Sequence, residues 1–275
     1  METENTLIYD NESEKKVPAI FEFAFCGTVD VFKEKIQKLA DLAETEEWTL
    51  SSDGDDENKV LRIYIYETFA RCKTEGKILF SEDGNYCTFN TGLLTKNCQE
   101  ILAVFCKNNK ENCQEWKFLK WMSSDSIEYM QHFNTVALMP AYWKNYEELY
   151  YNPDLDIVFN FDHIIDDNWD RIKNELGETF NKPIVKQMLI GAINETKTRI
   201  KRNMRLVVPQ FYRDKIMFLV PIVFQVTDDN FVTLALAVEK MNANQYRANT
   251  IFTLEMAYGK ARQLMKPESN WLLKR

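Results

Sequence analysis

A histidine flanked by carboxylates is the first candidate for chemistry in this sequence. The segment "FDHIIDDNWDR" places Asp162 beside His163, with Asp166, Asp167 and Arg171 close behind. Imidazole titrates near neutral pH, so His163 with Asp162 is a candidate acid/base pair for processing a phosphodiester or a nucleotide. The alternative is a structural interpretation, in which Asp166 or Asp167 caps a helix and His163 is a partly buried, hydrogen-bonded residue. A helix start accounts for the carboxylates without a metal ion.

A second candidate is the segment "NETKTRIKRNMRLVVPQFY", which holds five Lys or Arg within nine residues. Favourable interaction with a helix C-terminus accounts for only one or two of these cations. Cations followed by aromatic residues are typical of surfaces that bind phosphates and stack bases. The alternative is a solvated helix end.

The segment "YRANTIFTLEMAYGKARQLMK" repeats this combination of cations and aromatic rings near the C-terminus. An arginine stacked on a tyrosine is also common on ordinary surfaces. The two segments together predict the following nucleic-acid or nucleotide contacts: Lys197, Lys201, Arg202, Asn203, Gln210, Tyr212, Tyr246, Arg247, Tyr258, Arg262 and Lys266.

The segment "FNTGLL" offers a smaller site. Asn90 and Gly92 would present amide groups to a ligand at a strand end, or would form a tight turn that uses the positive φ open to glycine. Arg171 is a further candidate ligand contact. Both interpretations of Asn90 and Gly92 remain open at this point.

Familiar catalytic motifs do not occur. The sequence has no GxSxG, P-loop, GxGxxG or HExxH pattern, and its 8 glycines form no phosphate-binding loop. Only two histidines are present, which restricts covalent serine or cysteine catalysis. The six cysteines show no CxxC spacing, so we expect reduced structural thiols, no metal site and no cofactor.

The negative charge is concentrated at the N-terminus. Residues 1–60 hold 16 acidic and 6 basic residues, and the remainder holds 26 acidic and 28 basic residues. A net charge of −8 therefore leaves room for a polyanionic ligand on the nearly neutral body. Without a long apolar run or a signal-peptide pattern, we expect a cytoplasmic protein with no membrane contact.

Hydrophobic periodicity predicts the elements that must position these residues. Helices are predicted from Thr28 or Asp30 to about Thr45, from about Leu61, from Pro183 into the basic segment, and from Leu254 to Met265. Asp83-Gly84 predicts a hairpin turn. Strands are predicted at "EILAVFCKN", "RLVVPQFY", "IMFLVPIVF", "LALAVEK" and "NTIFT", and residues 116–170 are predicted to be irregular.

These elements predict an α+β fold, a single domain with a mixed or antiparallel sheet and packed helices, because the strands cluster in two sets. Residues 1–16 are predicted to be a flexible acidic tail and residues 17–59 an N-terminal helical extension. The α+β domain itself is predicted to span residues 60–275.

The sequence resembles a bacterial domain family of unknown function. The resemblance rests on "FNTGLLTKNCQEILAVFCKN", "FDHIIDDNWDRI", "KTRIKRNMRLVVPQFY" and "YRANTIFTLEMAYGKARQLMKPESNWL", in this order. Some members of that family look to be fused to cold-shock-type or LOTUS-type modules that bind RNA, which implies an RNA-related role by association. The resemblance supplies no reaction for the matching residues.

Three functions remain open from the sequence. The first is an RNA-associated protein that binds single-stranded RNA or a nucleotide in a basic and aromatic groove. The second is a metal-independent enzyme that processes phosphodiesters or nucleotides with His163 as acid/base. The third is a protein-interaction module whose acidic N-terminal region contacts a protein partner.

Overall fold

The chain folds into two compact units, Met1–Ala141 and Tyr142–Arg275. The computed structural model describes residues 9–11, 14–49 and 57–273. Most of the predicted acidic tail and of the acidic segment "SSDGDDEN" therefore lies outside the described residues. Two short antiparallel strands lie in the described part of this tail, β1 (Tyr9–Asn11) and β2 (Glu14–Lys16).

The first unit further contains α1 (Ala19–Phe23), β3 (Ala24–Phe25), α2 (Val29–Leu42), α3 (Lys59–Thr74), β4 (Leu79–Phe80), β5 (Tyr86–Leu94), β6 (Glu100–Lys107), β7 (Trp116–Ser123) and α4 (Ile127–Met130). Its sheet has the order β3-β7-β6-β5-β4, with β3 parallel to β7 and the other pairs antiparallel. Helix α3 packs against β5. Contacts among Phe69, Phe89 and Phe105 fill the space between helix and sheet.

Strand β7 corrects the prediction that residues 116–170 are irregular. Trp116 and Phe118 are buried in alternation with exposed Lys117, as in a strand covered on one face. Phe118 pairs with Phe105 and Lys120 with Val104, so Leu119 is the extra residue of a β-bulge. The bulge shifts the alternation by one residue, which hides the strand from a simple period-2 pattern.

The second unit contains a 3-10 turn (Tyr146–Leu149), β8 (Asp156–Val158), α5 (Phe161–Asp167), α6 (Trp169–Leu176), α7 (Lys182–Ile200), a second 3-10 turn (Met204–Leu206), β9 (Val208–Tyr212), β10 (Lys215–Gln225), β11 (Phe231–Lys240), β12 (Gln245–Phe252), α8 (Leu254–Leu264) and α9 (Asn270–Leu273). Its sheet has the order β8-β12-β11-β10-β9. Only β8 runs parallel to its neighbour among these described strands. Strand β9 forms one edge of this sheet.

Helix α7 and strand β10 carry the main core of the second unit. Val185 and Leu189 of α7 belong to one apolar cluster with Phe218, Val220 and Ile222 of β10. Residues that alternate with these along β10 project from the opposite face of the sheet. Helix α8 packs against β9 and also contacts β11 and β12.

The α+β class and the mixed sheet are confirmed by this architecture. Two predicted features of the helix N-termini are also confirmed, each for a clear physical reason. Thr28 caps α2, its hydroxyl accepting a hydrogen bond from the Val31 N–H at 3.4 Å. Pro183 occupies the first turn of α7, where its missing N–H costs nothing. Within the described residues, no helix is both long enough and apolar enough to cross a membrane.

Candidate nucleic-acid interface

His163 lies in the first turn of α5 with its side chain 64% exposed, so the expectation of partial burial is wrong. Its Nδ1 lies 3.2 Å from Asp167 Oδ2, one helical turn along. The side chain that caps α5 is Asn160, rather than Asp166 or Asp167. His163 is therefore an exposed helix residue that interacts within its own helix.

The aspartates near His163 join α5 to α7. Asp162 Oδ1 lies 2.7 Å from Lys186 Nζ, and Asp166 Oδ1 lies 2.6 Å from Lys182 Nζ. Both carboxylates are mostly exposed, and ion pairs of this type contribute little stability. This arrangement gives Asp162 a structural partner on the neighbouring helix.

Asn90 and Gly92 form an irregular bulge in β5. Asn90 is fully buried, and its side-chain N–H groups donate to Glu100 Oε1 and to the Ala137 carbonyl, both at 2.9 Å. Its Oδ1 accepts a hydrogen bond from the Gly92 N–H at 2.9 Å. Gly92 has a φ of +73°, which side-chain-bearing residues rarely adopt. The geometry matches the turn interpretation, because the side-chain amide of Asn90 already makes its hydrogen bonds with other groups of the protein.

Arg171 is a structural residue beside the part of β12 that extends beyond β8. Its Nη1 donates to Asn168 Oδ1 at 2.7 Å and also to the Ile251 carbonyl. Asn168 Oδ1 accepts further bonds from Thr250 Oγ1 at 2.7 Å and from the Ile251 N–H at 3.4 Å. The three-residue strand β8 pairs only with residues 245–247 of β12. Further along β12, the side chains of Asn168 and Arg171 hydrogen-bond with the backbone of Ile251, as a neighbouring strand would.

The basic stretch of α7 is largely paired. Lys197 Nζ lies 4.0 Å from Asp156 Oδ1, and Lys201 Nζ lies 3.5 Å from Asp154 Oδ1. Arg202 Nη1 donates to the Thr198 carbonyl at 2.9 Å, and Asn203 Oδ1 accepts from the Arg205 N–H at 3.2 Å. Exposed pairs at these distances are weak, so the cations remain available to a stronger anion.

Four predicted contact residues are buried. Tyr246 has no exposed surface and stacks on Tyr151 with ring centroids 4.6 Å apart, while its hydroxyl accepts from the Asn152 N–H. Burial raises the pKa of Tyr246. Tyr258, Arg262 and Gln210 are also buried. These positions belong to the packed interior, so base stacking at the surface depends on another ring.

Tyr212 is the exposed ring among the predicted contact residues, and it lies against Lys260 of the second segment. It lies at the end of β9 and is 39% exposed. The Arg213 guanidinium lies 5.1 Å from the ring centroid, and Lys260 Nζ of α8 lies 5.5 Å from it. Within the part of the chain that the structure describes, neither cation has a carboxylate at salt-bridge distance.

Lys215 and Arg247 extend this surface across the sheet. Lys215 pairs directly with Tyr212, so both side chains project from the same face. Lys215 Nζ lies 2.6 Å from Glu239 Oε1, and Arg247 Nη2 lies 3.0 Å from Glu239 Oε2. We call Tyr212, Arg213, Lys215, Arg247 and Lys260 the Tyr212 surface.

Glu239 is the residue that orders this surface. Its side chain is only 12% exposed, between β10 and β12, and it also accepts a bond from Asn249 Nδ2 at 3.1 Å. Asn249 is the extra residue of a bulge in β12, since Ala248 pairs with Val238 and Thr250 with Ala237. The hydrogen bond from Lys215 is the main reason that the pKa of Glu239 falls to about 2.

Neither Lys215 nor Glu239 was found as a site residue from the sequence. A possible signal was the lone glutamate at the end of the apolar strand "FVTLALAVEK", where an apolar residue would continue the pattern. Their proximity depends on strand register, which the sequence does not state.

The turn that carries Arg213 is conformationally unusual. Arg213 and Asp214 connect β9 to β10 with φ angles of +48° and +60°. Two-residue hairpins of this type favour asparagine and glycine, because other side chains are strained at positive φ. Arg213 therefore adopts a backbone conformation that asparagine or glycine would adopt at lower cost.

The buried cysteines carry no reactive thiolate. Burial raises the pKa of Cys26 and of Cys72 to about 12, and it raises the pKa of Cys87 further. All three are protonated near neutral pH and pack as small apolar side chains. Cys98 and Cys113 are exposed free thiols.

Replacement of Glu239 by glutamine gives a pH-dependent prediction. Because the pKa of Glu239 is lowered from 4.5 to about 2, its carboxylate stabilises the fold above pH 4.5 and loses this effect as the pH falls through 2. We expect Glu239→Gln to lower the free energy of unfolding by about 2 kcal/mol at pH 7, a figure reduced for solvent screening of Lys215 and Arg247. Urea titrations between pH 7 and pH 2 measure the difference, which should shrink toward pH 2.

Glu178→Gln is the control for this prediction. Glu178 lies 3.2 Å from Lys173 but is 89% exposed, so its removal should have little effect at any pH. Equal losses of stability in the two variants would contradict the ordering role of Glu239.

Comparison with known proteins identifies the family. The family described as "Domain of unknown function (DUF3825)" matches residues 39–271. The chain belongs to this family. The DUF3825 match includes every residue of the Tyr212 surface, together with the bulge at Asn90 and Gly92. No curated protein and no solved structure matches the chain.

Proposed function

We propose that the chain binds single-stranded RNA or a nucleotide at the Tyr212 surface. The observation that carries this proposal is the exposed Tyr212 ring with Arg213 at 5.1 Å and Lys260 at 5.5 Å. An aromatic ring stacks on any base, and adjacent cations neutralise the phosphates on either side. A cytoplasmic location is part of the same proposal.

The charge of the surface supports an anionic ligand. Arg213, Lys215 and Lys260 lie next to Tyr212, and Arg247 joins Lys215 through Glu239. The nearby acids are the buried Glu239 and the exposed Asp214 of the same turn, so the cations outnumber the acids. Glu239 fixes the heads of Lys215 and Arg247 in place, so less side-chain entropy is lost when a phosphate binds. The remaining N–H donors of both side chains are available to the ligand.

The position of the surface also fits this ligand class. Lys215 and Tyr212 lie side by side on the sheet, and Lys260 approaches from α8. A sheet that presents an aromatic ring among cations is a common way to bind single-stranded RNA. The resemblance to a family with members that look to be fused to RNA-binding modules adds support by association.

The acid/base hypothesis for His163 gains no such support. The contacts of His163 and Asp162 in the described residues are with Asp167 and Lys186, and neither belongs to the Tyr212 surface. His163→Ala is therefore expected to leave RNA binding unchanged.

Tyr212→Ala tests the proposal. Stacking of a base on an aromatic side chain contributes about 1–3 kcal/mol, so we expect the affinity for a fluorescein-labelled oligouridylate to fall about tenfold or more. Fluorescence anisotropy at low salt measures the change. Tyr146→Ala is the matched control, because Tyr146 is 81% exposed in the same unit and lies outside the Tyr212 surface. The absence of oligonucleotide and nucleotide binding by the unaltered protein at low ionic strength would overturn the proposal.

Arg213→Asn separates binding from folding. Asparagine tolerates positive φ better than arginine, so the variant should be at least as stable as the unaltered protein while it loses one cation. Weaker oligonucleotide binding without loss of stability is the expected result. Unchanged oligonucleotide binding would show that Arg213 is not part of the interface.

A further inference from the structure

A second group of cations lies at the opposite end of β9. Lys201, Arg202, Arg205 and Lys266 are all exposed. Lys201 has a weak partner in Asp154 at 3.5 Å, and Glu268 is an exposed acid close to Lys266 in sequence. These four cations outnumber the two acids, so this end of β9 is also positively charged. We call this group the Arg205 cluster.

Helix α8 and the residues after it connect the two groups along β9. Lys260 of α8 contacts Tyr212 at the end of β9. Ser269 Oγ donates to the Arg205 carbonyl at 2.7 Å, and Trp271 Nε1 donates to the Leu206 carbonyl at 2.8 Å, just before β9 begins. The segment from Lys260 to Trp271 therefore runs antiparallel to the segment from Arg205 to Tyr212. Lys266 lies between these contacts in the chain.

The outer edge of β9 does not favour an added peptide strand. Tyr212 and Lys215 flank a two-residue turn, so they form a hydrogen-bonded pair, and the pairing alternates along β9. Pro209 consequently occupies a position whose backbone nitrogen faces outward, where proline has no N–H to donate. An added peptide strand would meet an interrupted hydrogen-bond ladder at Pro209 and the Tyr142 ring, which packs on Phe211 with ring centroids 4.9 Å apart. A phosphate chain needs only the exposed side chains at the two ends of β9.

We propose that the ligand is a single-stranded nucleic-acid chain of about four nucleotides or more, which extends from the Tyr212 surface at one end of β9 to the Arg205 cluster at the other. This inference rests on the proposed function and makes it more specific. Arg205 and Tyr212 are seven positions apart, and the chain between them is mostly extended strand after a 3-10 turn, so they are separated by about 20 Å at roughly 3.3 Å per strand residue. A mononucleotide reaches one group of cations only, and about four nucleotides is the smallest site size typical of single-strand binding modules.

Binding as a function of ligand length tests the inference. Uridine monophosphate and labelled oligouridylates of two, four, six and eight nucleotides are titrated against the full chain at several salt concentrations. We expect affinity to rise about tenfold or more between the monophosphate and the six-nucleotide ligand. The double variant Arg205→Ala/Lys266→Ala should reduce the slope of log affinity against log salt for the six-nucleotide ligand. The expected reduction is about 0.7 for each phosphate that the protein no longer neutralises, and monophosphate binding should stay unchanged.

A control variant and two further ligands show which outcome applies. Lys96→Ala/Lys110→Ala removes two exposed lysines of the first unit and should change neither affinity nor salt dependence. Tyr212-dependent binding of the monophosphate with no gain from longer ligands would overturn the inference and leave the proposed function intact. Absence of all binding would overturn both. If an oligoglutamate peptide of the same charge bound with equal affinity, the ligand would be an acidic peptide and the inference would be overturned. A parallel series of oligodeoxythymidylates distinguishes RNA from DNA.

Discussion

Gly92→Ala is expected to lower the free energy of unfolding by about 3 kcal/mol. The φ of +73° costs a residue with a side chain about 1 kcal/mol or more. A Cβ atom at this position would also lie 2.6 Å from the Tyr64 hydroxyl oxygen, too close for an ordinary contact. Tyr64 is buried and donates to the Thr91 carbonyl at 2.9 Å, so its displacement breaks a buried hydrogen bond. Urea unfolding followed by circular dichroism measures the change in stability.

Gly84→Ala separates the two causes. Gly84 has a similar φ of +68°, but a Cβ atom there would meet nothing within 4 Å. Its replacement should therefore cost only about 1 kcal/mol. Tyr64→Phe removes the hydroxyl that the new methyl group would meet, so Gly92→Ala should cost less in that background. Equal costs for Gly92→Ala and Gly84→Ala would show that the contact with Tyr64 is unimportant.

Asn168→Ala is expected to destabilise the second unit by about 3 kcal/mol. The Asn168 side chain is buried at the junction of α5 and α6, and its Nδ2 donates to the Ile164 carbonyl at 2.7 Å. Its Oδ1 accepts from Arg171, Thr250 and the Ile251 N–H. Alanine would leave several of these groups without their partner in a site with little access to water, which is more costly than the loss of one exposed bond. Urea unfolding followed by circular dichroism measures this effect as well.

Asn181→Ala provides the comparison. Asn181 caps α7 through a single bond to the Ile184 N–H at 3.1 Å, and its side chain is exposed. Loss of such a cap costs about 1 kcal/mol. Asn168→Asp keeps the acceptor oxygen beside Arg171 and should recover part of the stability lost in Asn168→Ala. Equal effects of the two alanine substitutions would contradict a central role for Asn168.

Local signals predicted most of the helices and strands. The cap at Thr28, the proline at position 183 and the turn at Asp83-Gly84 each depend on neighbouring residues only. Strand β7 escaped prediction because the bulge at Leu119 shifts its burial pattern. A bulge depends on pairing with β6, and this pairing is a tertiary property.

The candidate site was predicted in part. Tyr212 and Arg247 were predicted as contact residues because cations and aromatic residues are close to them in sequence, and both lie on the Tyr212 surface. Tyr246 and Tyr258 have the same local surroundings in sequence, yet both are buried. Tyr246 alternates along β12 with Arg247, and its direction into the core is set by the sheet face that α5 to α7 cover.

The amino-acid sequence by itself determined the α+β class, the main helices and strands, the location of negative charge near the N-terminus and the presence of two basic segments. Each of these follows from composition or from contacts between residues close in the chain. Only the tertiary structure decided that Lys197 and Lys201 have acidic neighbours, that Asn90 and Arg171 are structural, and that Tyr212 lies against Lys260 of the second segment. The reason is that strand register and helix packing bring Glu239, Lys215 and Lys260 to their positions, and these depend on contacts between residues distant in sequence.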